Sequence, residues 1–104
     1  MKEKRQVGKP NDRQLEAAVA MFDALSDMPR LRMLLLLAKG KLSVSEIAEI
    51  EGDRMTTVSA RLQILHAARL VARHREGKTV IYSIADEHVL TLVENAVAHV
   101  GEQH

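Results

Sequence analysis

The fold of this chain is decided by residues 43–84, SVSEIAEIEGDRMTTVSARLQILHAARLVARHREGKTVIYSI. The opening SVSE is a capping box, which predicts that a short helix begins there. A second helix, over about 55–68, has apolar residues at helical spacing. The period then changes, because LVARHR and TVIYSI are short runs rich in β-branched residues, joined by EGK with Gly77 as the turn residue. Two short helices, a tight turn and a hairpin predict a helix-turn-helix with a β wing.

Three more helices are predicted, two before this stretch and one after it. Apolar residues at helical spacing predict the first over 12–25, after a flexible tail at 1–11. The second spans about 29–39, and its leucines face nearly every side, which indicates a buried central helix. The last runs from 86 to about 101. We therefore expect a mostly α winged helix-turn-helix, with five helices and a two-stranded hairpin, as one domain over 12–104.

Composition excludes several classes of protein. The chain has 104 residues, of which 46% are hydrophobic and 28% charged, as in one globular domain. It has no cysteine, so disulfides and thiolate metal sites are excluded. The charged N-terminus has no apolar core of a signal peptide, and the longest apolar run, MLLLLA, is too short to span a membrane. We expect a cytoplasmic protein with no membrane partner.

Positive charge is concentrated in residues 54–78, although the net charge of the chain is only +1. This segment holds six basic residues against one acidic residue, Glu76. A local basic patch is typical of a surface that binds phosphates, and a solvated face is the alternative.

Five stretches of the chain together resemble the ArsR/SmtB family of metal-sensing winged-helix repressors, over roughly 20–102. They are ALSDMPRLRMLLLL, LSVSEIAE, TTVSARLQIL, LVARHREGKTVIYSI and DEHV…HVGE. The chain departs from the family in three places. It has GDRM where the family has a Ser or Thr cap and an apolar residue, Ala60 and Arg61 where histidine or glutamine is common, and Arg69 where glycine is common.

The resemblance implies a homodimer that is not an enzyme and that binds double-stranded operator DNA. The fourth helix would enter the major groove, and the hairpin would hold phosphates. The candidate DNA contacts on the helix are Thr56, Thr57, Ser59 and Arg61. Those on the hairpin are Arg73, Arg75 and Lys78. The hydroxyls could instead only cap or solvate the helix, and Arg61 could form a surface ion pair. Two subunits would read an inverted repeat.

The last helix carries four candidate metal ligands, Asp86, His88, His99 and Glu102. The two histidines are eleven residues apart, which puts them on one helix face but about 16 Å apart along the axis. Two ligand atoms of one zinc ion lie only about 3–4 Å apart, so one chain cannot bring both histidines to one ion. An antiparallel copy related by a two-fold axis can.

The predicted site therefore combines Asp86 and His88 of one subunit with His99 and Glu102 of the other. Two imidazoles and two carboxylates in a tetrahedron suit Zn(II), with Co(II) as a surrogate. The pattern D-x-H-x10-H-x2-E also resembles the C-terminal helix site of the family's zinc sensors. Ni(II) fits less well, because it would need a further ligand such as His104. Taken singly, Asp86 could be only a helix cap, and either histidine only a solvated group.

These features predict a repressor whose metal-free dimer binds its operator. Zn(II) binding would lower the DNA affinity and derepress metal-resistance genes. The main alternative is a winged-helix regulator that responds to a non-metal signal, with the ligand pattern coincidental. A small zinc hydrolase is disfavoured because the chain has no HExxH-type base. A pure dimerisation module would not account for the basic hairpin.

Overall fold

The computed structural model describes residues 8–102, which form five helices and one short antiparallel sheet. The helices are α1 Asp12–Leu25, α2 Met28–Leu37, α3 Val44–Glu51, α4 Met55–Ala67 and α5 Glu87–Gly101. The strands are β1 Leu42–Ser43, β2 Val71–Glu76 and β3 Thr79–Ile84. Most of the predicted tail, residues 1–7, and the candidate ligand His104 lie outside the described residues.

Side-chain caps set where four of the helices begin. Asn11 and Ser43 each take part in a capping box, at the start of α1 and α3. Asp27 and Asp86 each accept a hydrogen bond at 3.0 Å from the backbone of the first turn of α2 and α5. Such caps satisfy N–H groups that have no partner inside the helix. The exception is α4, whose N-cap residue Arg54 makes no side-chain capping bond.

The sheet has three strands in the order β1-β3-β2, where the sequence predicts two. The predicted hairpin of β2 and β3 is confirmed, with Gly77 in the left-handed region at φ 64°. The prediction was wrong about the strand count, because β1 pairs with β3 through Leu42 opposite Tyr82 and Ser43 opposite Ile81. With two residues, and Ser43 also capping α3, β1 is too short to show the alternation that identifies a strand.

The core centres on α2, which packs against α1, α4, α5 and β3. Met33 and Leu34 of α2 are fully buried, which confirms its predicted central position. From α4 the core receives Val58, Leu62 and Leu65, so that side of the helix is fixed inward. Within residues 8–102, no helix is long and apolar enough to cross a bilayer.

Candidate nucleic-acid interface and metal-ligand residues

The outer face of α4, defined here as Thr56, Ala60 and Gln63, points away from the core and is exposed. At about 100° per residue, these positions lie opposite the buried stripe of the helix. Of the candidate DNA contacts, Thr56 lies on this face. Gln63 was not among the candidates, although its spacing of seven residues from Thr56 is a signal that would have found it. Glutamine can bind an adenine edge through both amide atoms.

Two further candidates, Thr57 and Ser59, lie on the flanks of α4 and are half-buried. Ser59 lines a groove of about 510 Å³ that also contains Arg73 and Arg75 of β2 and Tyr82 of β3. The groove thus joins α4 to the hairpin, with hydroxyl and guanidinium groups on its walls. Such groups are the usual donors to DNA phosphates.

The hairpin presents its candidate contacts to solvent, because Arg73, Arg75 and Lys78 are all exposed. The one acidic residue of this segment, Glu76, contacts His74 and Lys41 and not these three cations. His74 Nε2 lies 2.8 Å from Glu76 Oε2, and Lys41 Nζ lies 3.5 Å from the same oxygen. The hydrogen bond with His74 and the charge of Lys41 lower the pKa of Glu76 below its ordinary value. The Glu76 carboxylate is thus occupied next to the turn of the basic hairpin.

Arg61 is the candidate whose surroundings differ most from the expectation. Its Nη1 lies 2.8 Å from Asp53 Oδ2, which is the surface ion pair considered as the alternative. Arg61 is half-buried and lines a cleft of about 720 Å³, together with Arg32 and Glu51. Burial raises the pKa of Glu51, against the opposing charge of Arg61. Glu51 Oε1 has no hydrogen-bond partner among the described residues. A role for Arg61 in binding DNA stays a prediction.

Two of the four candidate metal ligands lie together at the start of α5. Asp86 is the N-cap, with an extended backbone at φ −166°, and its Oδ1 accepts the Val89 N–H at 3.0 Å. The same oxygen lies 3.7 Å from Nδ1 of His88, whose side chain is 98% exposed. Asp86 is therefore a helix cap, and its carboxylate also lies toward the His88 imidazole.

The other two candidates lie at the far end of α5. His99 is in the last turn, and Glu102 is the C-cap, with an extended backbone at φ −71° and ψ 145°. The Glu102 N–H donates to the His99 carbonyl oxygen at 3.2 Å. Glu102 therefore lies just beyond the last helical residue, Gly101. Across residues 8–102, no three His, Cys, Asp or Glu side chains converge within a single subunit.

Both terminal helices expose apolar side chains. On α1 they are Leu15, Val19 and Phe22, which are 50%, 67% and 59% exposed and follow helical spacing. On α5 they are Val97 and Val100, beside His99 in the last turns. These two residues give α5 apolar surface that the core of its own subunit does not cover. The stripe on α1 was not predicted, because its spacing identifies a helix without saying which residues another element covers.

Comparison with known proteins places the chain among transcriptional regulators. Residues 25–74 match a helix-turn-helix domain family. The chain is 37% identical over 89 residues to a transcriptional repressor SmtB homolog of Synechocystis sp., covering 86% of this chain and 67% of that protein. It is 36% identical over 96 residues to the regulator NmtR of Mycobacterium tuberculosis, covering 91% of this chain and 80% of that one.

A solved structure agrees in fold as well as in sequence. It is the homodimeric winged helix-turn-helix DNA-binding domain of Mb0332 from Mycobacterium bovis. The two structures superpose with a TM-score of 0.82 at 33% identity, covering 94% of this chain and 98% of that domain. On this fold and these relatives, the chain belongs to the ArsR/SmtB family of winged-helix transcriptional regulators, and it is not an enzyme.

Proposed function

We propose that this protein is a metal-responsive repressor that acts as a homodimer. Its metal-free form binds operator DNA, and Zn(II) bound between the subunits lowers that affinity and derepresses metal-resistance genes. One observation carries the metal site: a single helix of 15 residues, α5, holds Asp86 and His88 at one end and His99 and Glu102 at the other. Neither pair can complete a tetrahedral site alone, because zinc needs four ligands.

The residues at the start of α5 fit a zinc ion in their chemistry. A carboxylate oxygen and an imidazole nitrogen 3.7 Å apart, with His88 exposed, form an accessible half-site of hard and borderline ligands. The second half-site is His99 and Glu102 of the partner subunit. Zn(II), with Co(II) as its laboratory surrogate, matches two imidazoles and two carboxylates, and Ni(II) matches them less well.

The dimer is supported by the apolar residues that α1 and α5 expose. A subunit alone leaves Phe22, Val19 and Val100 more than half in water, which is typical of a surface that another chain covers. The similar domain of Mb0332 is homodimeric. In an antiparallel pair of α5 helices, the start of one lies beside the end of the other, so the two-fold axis creates two equivalent sites.

The DNA surface consists of the outer face of α4 and the exposed cations of the hairpin. Thr56 and Gln63 would face base edges, while Thr57 and Ser59 would lie beside the DNA backbone. The hairpin cations Arg73, Arg75 and Lys78 would hold phosphates. Two such surfaces in a symmetric dimer fit an inverted repeat with half-sites about one helical turn apart.

The two activities are linked through packed elements. Val89 and Val93 of α5 are buried in the core, and α5 packs against α2 and β3. Since α2 also packs against α4, a change in how two α5 helices meet alters the relative orientation of the two α4 helices. The metal supplies one thing, a bond between subunits that favours one orientation. Coupling of this kind is typically about 1–3 kcal/mol and is reciprocal.

A second candidate is a regulator that responds to a non-metal signal. It is favoured by the fact that Asp86 already has a structural role, because its carboxylate caps α5. His88 would then be only a solvated side chain.

The test is a titration of the protein on the DNA upstream of its gene, with and without Zn(II). We expect zinc to weaken DNA binding by about 5- to 150-fold, as the coupling range implies. His99→Ala should abolish this response. Glu94→Gln, a change to an exposed carboxylate of α5 outside the ligand set, should retain it. If zinc binds but leaves the DNA affinity unchanged, the proposed zinc response is wrong.

A further inference from the structure

Two departures of this chain from the family pattern are in direct contact. Asp53 belongs to the GDRM turn before α4, and Arg61 stands where the family commonly has histidine or glutamine. Arg61 Nη1 and Asp53 Oδ2 lie 2.8 Å apart, at the distance of a charge-assisted hydrogen bond. The two departures from the family pattern are therefore the two partners of one ion pair.

The ion pair directs Arg61 away from the outer face of α4. The arginine side chain is only 26% exposed and lines the cleft beside Arg32 and Glu51, whereas Thr56 and Gln63 of the outer face are exposed. Glu51 adds a second negative charge, which attracts Arg61 and is repelled by Asp53. The guanidinium is thus held by the Asp53 carboxylate, on one side of the helix that would enter the major groove.

We propose that the Asp53 carboxylate competes with DNA phosphates for the guanidinium of Arg61. Asp53 holds the guanidinium back from the DNA backbone and so lowers the affinity for DNA of any sequence. The proposal rests on the DNA-binding function proposed above. A carboxylate and a phosphate are acceptors for the same guanidinium donors, so a phosphate near α4 must displace Asp53 or share Arg61 with it.

This competition acts on backbone binding more than on base reading. Contacts to phosphates supply nearly all of non-specific affinity, because each one releases counterions. The base-facing residues Thr56 and Gln63 are not in the pair and are unaffected by it. Withholding one cation therefore lowers binding to operator and random DNA alike and leaves the preference for the operator unchanged.

The test uses the full-length protein, a short random-sequence duplex and Asp53→Asn, which keeps the shape of the side chain and removes its charge. Fluorescence anisotropy over a range of salt gives the affinity and its salt dependence. We expect binding about fivefold tighter, the size of a partly exposed ion pair. The slope of log affinity against log salt should steepen by about 1, the value of one added phosphate contact. Asp53→Ser serves as a second neutral variant if the amide disturbs the turn.

A double-mutant cycle separates this competition from a general charge effect. If Asp53 acts through Arg61, Asp53→Asn should give no gain in an Arg61→Gln background. Glu49→Gln, which removes an exposed charge from the neighbouring helix, should raise the affinity less than Asp53→Asn does. A gain that persists without Arg61, an equal gain in Glu49→Gln, or weaker binding in Asp53→Asn would overturn the proposal. If the wild type binds no DNA at all, both this inference and the proposed function fail. If the wild type binds DNA but the effects of Asp53→Asn and Arg61→Gln are additive, only this inference fails.

Discussion

Among single residues, the backbone angle directly after α4 is one that favours glycine, although this chain has Arg69 there. Arg69 has φ 64°, and it is the one residue other than glycine with a positive φ among the described positions. Its N–H donates to the His66 carbonyl at 3.0 Å, and the Leu70 N–H donates to the Leu65 carbonyl at 2.9 Å. These bonds end the helix and lead the chain into β2, so the strained angle is a requirement of the turn.

Arg69→Gly should therefore stabilise the protein. A side chain in the left-handed region costs about 1–2 kcal/mol, which glycine avoids. Glycine also has greater freedom in the unfolded chain, and this offsets roughly 0.5–1 kcal/mol of the gain in stability. We expect a net gain of about 0.5–1 kcal/mol, measured by urea denaturation. Arg69→Ala, which removes the charge but keeps the Cβ atom, is the matched control. A glycine variant that is less stable than the alanine variant by about 0.5–1 kcal/mol would show that the angle carries no cost.

At the scale of the element, local sequence predicts most of this fold because the signals are local. Capping residues and apolar spacing predict α1 over 12–25 and α3 after Ser43, and the structure has both. The prediction for α2 extended to Lys39, whereas the helix ends at Leu37, and Ala38 and Lys39 continue it only as a tighter turn in which Lys39 N–H donates to the Leu36 carbonyl. What could not be predicted depends on distant pairing: β1 exists only because β3 lies beside it.

The same limit applies to the candidate site. The cap geometry of Asp86 follows from its place before α5, and the sequence predicts it. The partner of Arg61 does not follow from spacing, because a residue in a turn and a residue eight positions later meet only through the fold. Surface ion pairing of Arg61 could therefore be weighed only as an alternative. Gln63, by contrast, could have been predicted, because its spacing of seven residues from Thr56 puts both on one face of a helix.

The arginines of the hairpin lead to a prediction about DNA affinity and its salt dependence. Replacing Arg73 and Arg75 together by Gln should weaken binding to operator and random DNA alike, because phosphate contacts carry no sequence information. The salt slope should become shallower by about 0.9 for each lost contact. Arg13→Gln, a change to an exposed arginine on α1, is the control and should alter neither quantity. A loss confined to operator DNA would mean that the hairpin reads bases.

In the whole molecule, the proposed coupling between metal and DNA depends on one feature of α5. The helix is long enough to separate two half-sites and carries buried residues at its start and exposed apolar residues at its end. Its first half belongs to the core of its own subunit, through Val89 and Val93, and its second half exposes Val97 and Val100. A ligand shared between two such helices acts on subunit orientation without entering either core.

The most direct test of this shared site mixes two inactive variants. In homodimers, His88→Ala and His99→Ala each remove one imidazole from both sites. A heterodimer of one His88→Ala chain and one His99→Ala chain has one site with both imidazoles missing and one site that is complete. We predict that heterodimers purified through two different affinity tags bind one tetrahedral Co(II) ion per dimer, seen by its absorption spectrum, while neither homodimer gives that spectrum. A heterodimer that binds no Co(II) in tetrahedral form would contradict a site built from two subunits.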